Sequence, residues 1–190
     1  MLEPFGRDVY LGYGGVFIAI LIVLIRLLNP PTEDAKTEPP GNLAVCIYWQ
    51  QGPIDVDLWA DGPGETRPVG YSNRGGVYWN LLRDDLGEQF DPTDVNFECT
   101  YSRGIRAGEH ALNLHCYRCK SPPVTVKMEV SVTTGEPGTK GNVRVLATTT
   151  VKLTREGEEK TALRFRLRAD GTIEPGSLHN VFRALRSAKK

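Results

Sequence analysis

The sequence predicts a mainly β protein: a single N-terminal transmembrane α-helix, then an antiparallel β-sandwich with a short C-terminal helix. Three observations predict it. From Val9 to Leu28 the chain is almost wholly apolar, long enough at 1.5 Å per residue to cross about 30 Å of hydrocarbon. Beyond Pro31, valine- and threonine-rich runs recur between turn signals, and Gly and Pro together number 33, a density of turn formers that suits short strands. Near the end, Leu178, Val181, Phe182 and Leu185 fall at helical spacing opposite Arg183, Arg186, Lys189 and Lys190.

Taken in order, residues 1–8 form a short tail expected on the cytoplasmic side, and 9–28 the transmembrane helix. A signal peptide is the competing reading of this run. It would carry a shorter apolar core and a small-residue cleavage site, whereas the run here ends in Arg26-Leu-Leu-Asn-Pro-Pro. At about 100° per residue, Asp8, Gly12, Gly15, Ala19, Ile22 and Arg26 share one stripe. Gly12, Gly15 and Ala19 are small enough to let another helix approach closely, so this stripe is the expected packing face. An acid at its head is either an ionisable functional group or a flanking charge that favours the helix N-terminus.

Residues 29–41 carry two Pro-Pro pairs among polar residues and read as an extended spacer. The sandwich is assigned to 42–175, with strands expected at 43–49, 54–60, 69–71, 77–80, 95–103, 109–118, 124–134, 142–154 and 161–169. Glu136-Pro-Gly and Arg155-Glu-Gly-Glu read as hairpin turns, and 176–190 as an amphipathic basic helix.

The formal net charge is zero, but residues 31–120 hold 14 acids and 8 bases while 140–190 hold 5 acids and 12 bases. That asymmetry suits opposed charged faces and lacks the uniformly basic footprint of a nucleic-acid binder. Four cysteines, Cys46, Cys99, Cys116 and Cys119, behind a membrane anchor suggest an oxidising compartment. The expectation is a bacterial inner-membrane protein with its C-terminal domain in the periplasm. A turn near 105–108 would set Cys99 opposite Cys116, leaving Cys46 and Cys119 as the second pair. The alternative takes His115, Cys116 and Cys119 as half of a zinc site.

In Ile54-Asp-Val-Asp-Leu-Trp, alternation places Asp55 and Asp57 on one face and Ile54, Val56 and Leu58 toward the core. The two carboxylates read as a solvated strand face or, with the acidic loop that follows Asp84, as ligands for calcium; no other cofactor is expected. The sequence has no Gly-x-Ser-x-Gly, His-Glu-x-x-His or P-loop pattern, and its three histidines are scattered, so the reading is non-enzymatic.

Two resemblances add expectations. The segment from Asp8-Val-Tyr-Leu to Leu28-Asn-Pro-Pro, followed by a linker, resembles the B-type stator subunits of ion-driven motors, the MotB, ExbD and TolR group. That resemblance implies that Asp8 carries a proton or sodium ion. It also implies a homodimer held within a ring of multi-span A-type subunits. Asp55-Val-Asp-Leu-Trp, Gly70-Tyr-Ser-Asn and Gly108-Glu-His-Ala-Leu-Asn-Leu-His are similar to the pre-peptidase C-terminal type of β-sandwich, with His110 where an aromatic is usual. It implies a binding or accessory module, in some members with calcium. Together they suggest an energy-transducing subunit, with a membrane-tethered binding module as the alternative.

Overall fold

The computed structural model describes residues 13–24, 41–87, 95–120, 122–134 and 141–186. The chain divides into two compact units, Met1–Glu38 and Pro39–Lys190.

In the first unit, residues 13–24 form a helix. Twelve residues rise about 18 Å, well short of a bilayer core. Among the described residues no helix is long and apolar enough to cross a membrane, which corrects the expected transmembrane span. The apolar run supplies the composition of a span, but the described helix covers only part of it.

The second unit contains eight strands: β1 (Leu43–Trp49), β2 (Asp55–Asp61), β3 (Trp79–Arg83), β4 (Phe97–Ser102), β5 (Gly108–Arg118), β6 (Val124–Thr134), β7 (Asn142–Leu153) and β8 (Glu159–Leu167). They form two antiparallel sheets, a five-stranded one ordered β3-β4-β1-β6-β7 and a three-stranded one ordered β2-β5-β8. The mainly β expectation holds. Period-two patterning makes the core: Val124, Val126, Met128, Val130 and Val132 of β6 are buried while Thr125 and Lys127 are exposed. These side chains meet Val56, Leu58, Leu112, Leu114, Leu163 and Phe165 in one cluster.

Both cysteine pairings differ from expectation. Cys46 bonds Cys99 and Cys116 bonds Cys119. The reason is topological: β4 and β5, taken as one hairpin, belong to different sheets. The chain between them passes from one layer to the other. Cys99 instead faces Cys46 directly across the β1–β4 ladder. The second bridge closes Cys116-Tyr-Arg-Cys119 where β5 ends.

The expected C-terminal helix is also absent from the described part of 176–190. Residues 177–186 instead run as an irregular strap over the three-stranded sheet. His179 and Arg164 exchange backbone hydrogen bonds of 2.7 and 3.0 Å. The Arg183 carbonyl accepts from Asn113 Nδ2 at 2.7 Å, and Leu185 is buried with Trp59 and Ala111. The helical spacing of apolar residues was real, but acceptors and donors on the sheet take the backbone groups a helix would pair internally.

Candidate functional site

β2 is buried on both faces, and this organises the polar features of the domain. Its even-numbered residues enter the core. Its odd-numbered residues, Asp55, Asp57, Trp59 and Asp61, face outward beneath the 62–76 loop and the strap. The predicted separation of faces is therefore right, but the carboxylate face is covered rather than solvated.

Each carboxylate has a cationic or imidazole partner from a distant element. Asp57 Oδ2 accepts from His115 Nδ1 at 2.7 Å, with both groups buried. Asp55 meets Arg118 at 3.3 Å, and Arg118 also donates to the Leu86 carbonyl at 2.6 Å. Asp61 pairs with Arg183 of the strap at 2.6 Å. Glu159 Oε1 accepts from Asn113 Nδ2 at 2.7 Å and from the Leu185 amide at 2.8 Å, which pins the strap to β8. Burial pushes the Asp55 carboxyl up to about 7, helped by the neighbouring Asp57 charge and opposed by Arg118. Glu98 of β4 reaches inward to accept the Leu58 amide at 3.0 Å, and burial raises its carboxyl well above the ordinary range.

Trp59 lies under Tyr71, ring edge to face with centroids 5.5 Å apart, and Tyr71 meets Tyr117 at 6.0 Å. Gly70 makes this packing possible, because a Cβ there would stand 2.5 Å from Trp59 Cδ2. Asp57 and His115 resemble two thirds of a hydrolytic triad. His115 Nε2, however, has no hydrogen-bond partner among the described residues. What the pair does here is fix β2 against β5.

His110 points into the core, stacked on Phe165 at 5.4 Å and edge-on to Trp79 at 5.9 Å. Its Nε2 donates to the Arg106 carbonyl at 3.0 Å, and burial lowers its basicity. It packs as one ring among the aromatic side chains of the core.

Asp55 and Asp57, the expected calcium carboxylates, are held by Arg118 and His115. Among the described residues no group of three or more His, Cys, Asp or Glu can hold a metal ion. His115 and Cys116 alternate to opposite faces of β5, and Cys116 and Cys119 are joined to each other, so the zinc half-site does not assemble. Asp8 and Gly12 lie outside the described residues. Gly15 and Ala19 lie on the short helix, where nothing stands within 4 Å of a Cβ built at Gly15.

A second feature was not anticipated. Five strands cover three, so the inner face of β7 overhangs β8 and is only half buried. A cleft of about 340 Å³ opens there, lined by Thr149, Val151, Lys152, Lys160, Ala162 and Phe182. Alternation along β7 was legible in the sequence. Its position at a sheet edge was not.

These features define a disulfide-stapled antiparallel β-sandwich with, among the described residues, one open side. No protein-family model, curated protein or solved structure matches the chain.

Proposed function

We propose that the sandwich is a non-catalytic binding module of an oxidising, extracytoplasmic compartment. Two disulfides support the compartment, since such bridges persist where thiols are not kept reduced. The observation that carries the binding role is the overhang of β7, which leaves a cleft and, among the described residues, a strand edge with no neighbouring strand. The charged groups on the outer face of the three-stranded sheet are engaged in holding the strap and the loops. This supports interaction through the edge rather than chemistry on that face.

A photo-crosslinking residue at Thr150 of β7, introduced into the full chain in its native cells, tests the reading. The same residue at the exposed Leu82 of β3 is the control. A discrete adduct from position 150 and none from 82 is expected. No adduct, or equal adducts from both edges, overturns it.

A further inference from the structure

The sandwich has four outer edges, and three are closed by named bonds. On β2, Ala60 and Val69 exchange hydrogen bonds of 2.8 Å and Glu98 takes the Leu58 amide. On β8, the strap exchanges bonds through His179 and Arg164, and the Glu174 amide donates to the Arg166 carbonyl at 2.8 Å. On β3, the Leu81 amide donates to Arg74 at 2.8 Å and the Gly76 amide to Trp79 at 2.9 Å. Among the described residues β7 has no such cover on the side away from β6. The bonds from β7 to other elements there involve side chains: Lys160 Nζ donates to the Lys152 carbonyl at 2.7 Å, and the Arg144 guanidinium donates to the Gly171 carbonyl at 3.2 Å.

The bond to Lys152 also gives the direction of the backbone. If the Lys152 carbonyl points out of the sheet, alternation turns the N–H and C=O of Thr150 and Thr148 the same way. Unpaired edge groups of this kind are a template for another strand, and native proteins commonly blunt them. β7 has a bulge near Val145 and Ala147, but the threonine run beyond it contains no proline.

We propose that this edge receives an extended, acidic segment of a partner polypeptide, paired with β7 as an added strand; this rests on the binding-module reading above. Backbone bonds to Thr148 and Thr150 would give the pairing. Alternate apolar side chains would enter the cleft over Val151, Ala162 and Phe182. Charge selects the occupant. β7 carries Arg144 and Lys152 and no acid, and Lys160 stands at the cleft beside Glu158 at 3.2 Å. A second copy is a poor occupant, because antiparallel self-pairing centred on Thr148 would set Arg144 against Lys152 at both ends of the seam, and like charges opposed across strands repel.

The probe is a synthetic peptide of about nine residues alternating valine and glutamate, a usual strand length, with a valine–lysine peptide as control. Both are added to the full chain, and amide hydrogen exchange is read residue by residue. The glutamate peptide should slow exchange at Thr148 and Thr150 about tenfold and leave Leu81 unchanged. Lys152→Glu should transfer that protection to the lysine peptide. Three results would overturn the proposal: no protection by either peptide, equal protection by both, or protection of Thr148 and Thr150 that grows with protein concentration alone. A crosslink from position 150 would still stand in each case, so failure of the acidic occupant is separable from failure of the binding module.

Discussion

The two disulfides should differ in their effect on stability, and the difference follows from their placement. Cys46–Cys99 joins residues 53 apart in sequence, while Cys116–Cys119 joins residues 3 apart. In the chain-entropy account the first restricts the unfolded chain by about 4 kcal/mol and the second by about 1.6 kcal/mol. Paired Cys→Ala variants remove the same atoms at both places, so truncation largely cancels and a gap of about 2.5 kcal/mol remains. For a domain of this size each kcal/mol is worth roughly 2–4 °C in Tm. Removing the first bridge should therefore lower Tm by about 8–16 °C and removing the second by about 3–6 °C. Thermal and urea unfolding followed by circular dichroism measures both, and non-reducing peptide mapping should recover Cys46 with Cys99. If loss of the Cys116–Cys119 bridge costs as much as loss of the other, entropy of the unfolded chain is not what these bridges act on.

Four further outcomes follow from buried positions. Glu98→Ala should destabilise by about 2–4 kcal/mol, since it leaves the Leu58 amide unpaired and a cavity behind, whereas Glu98→Gln keeps the acceptor and should cost far less in urea unfolding. The folded Glu98 and Asp55 carboxyls hold their protons to higher pH than the unfolded chain does, so they should make stability fall as pH rises from about 4 toward 7 and beyond, and Glu98→Gln should flatten that fall. His110 acts in the opposite sense: its basicity is lowered in the fold, so stability is lost as pH drops below about 6.5, and urea titrations of His110→Phe should show less of that loss. Gly70→Ala should cost about 1–3 kcal/mol and alter Trp59 fluorescence, because the new methyl displaces the indole. An unchanged spectrum and stability would show that the 62–76 loop yields instead.

Strands β1, β2 and β4 to β8 were legible within a few residues, because each alternates against one core. β3 was misplaced toward 77–80. There the chain is held by Glu65, whose carboxylate takes the amides of Val77, Tyr78 and Trp79, a long-range contact with no local signature. The turn between β4 and β5 was equally opaque. Residues on either side of a Gly-containing turn read alike whether the chain folds back in its own sheet or crosses to the next, and the cysteine pairing depended on that choice. The strap failed differently. Of the four apolar residues at helical spacing, Leu178, Val181 and Phe182 remain exposed and only Leu185 finds the core. Hydrophobic period alone could not weigh a helix against the bonds offered by Asn113, Glu159 and Arg164. For the candidate site, the residues of β7 were in view, but edge status is a property of strand order.

β2 and β7 show how one domain treats two edges oppositely. A strand slipped by one residue turns every side chain to the other face. On β2 such a slip would drive Asp55, Asp57 and Asp61 into the core and expose Val56 and Leu58. The registered strand instead finds Arg118, His115 and Arg183 waiting. Buried ion pairs contribute little net stability once desolvation is counted, yet breaking one strands a charge, so their effect here is to exclude the wrong register. β7 has no such set of ion pairs: its exposed side chains are an asparagine, valines, threonines and two bases, of which Arg144 donates to the Gly171 carbonyl. The edge fixed by carboxylates is the one the protein closes for itself. Among the described residues the edge without a neighbouring strand is the positively charged one, and this contrast supports the proposed interaction at β7 over one on the more polar face of β2.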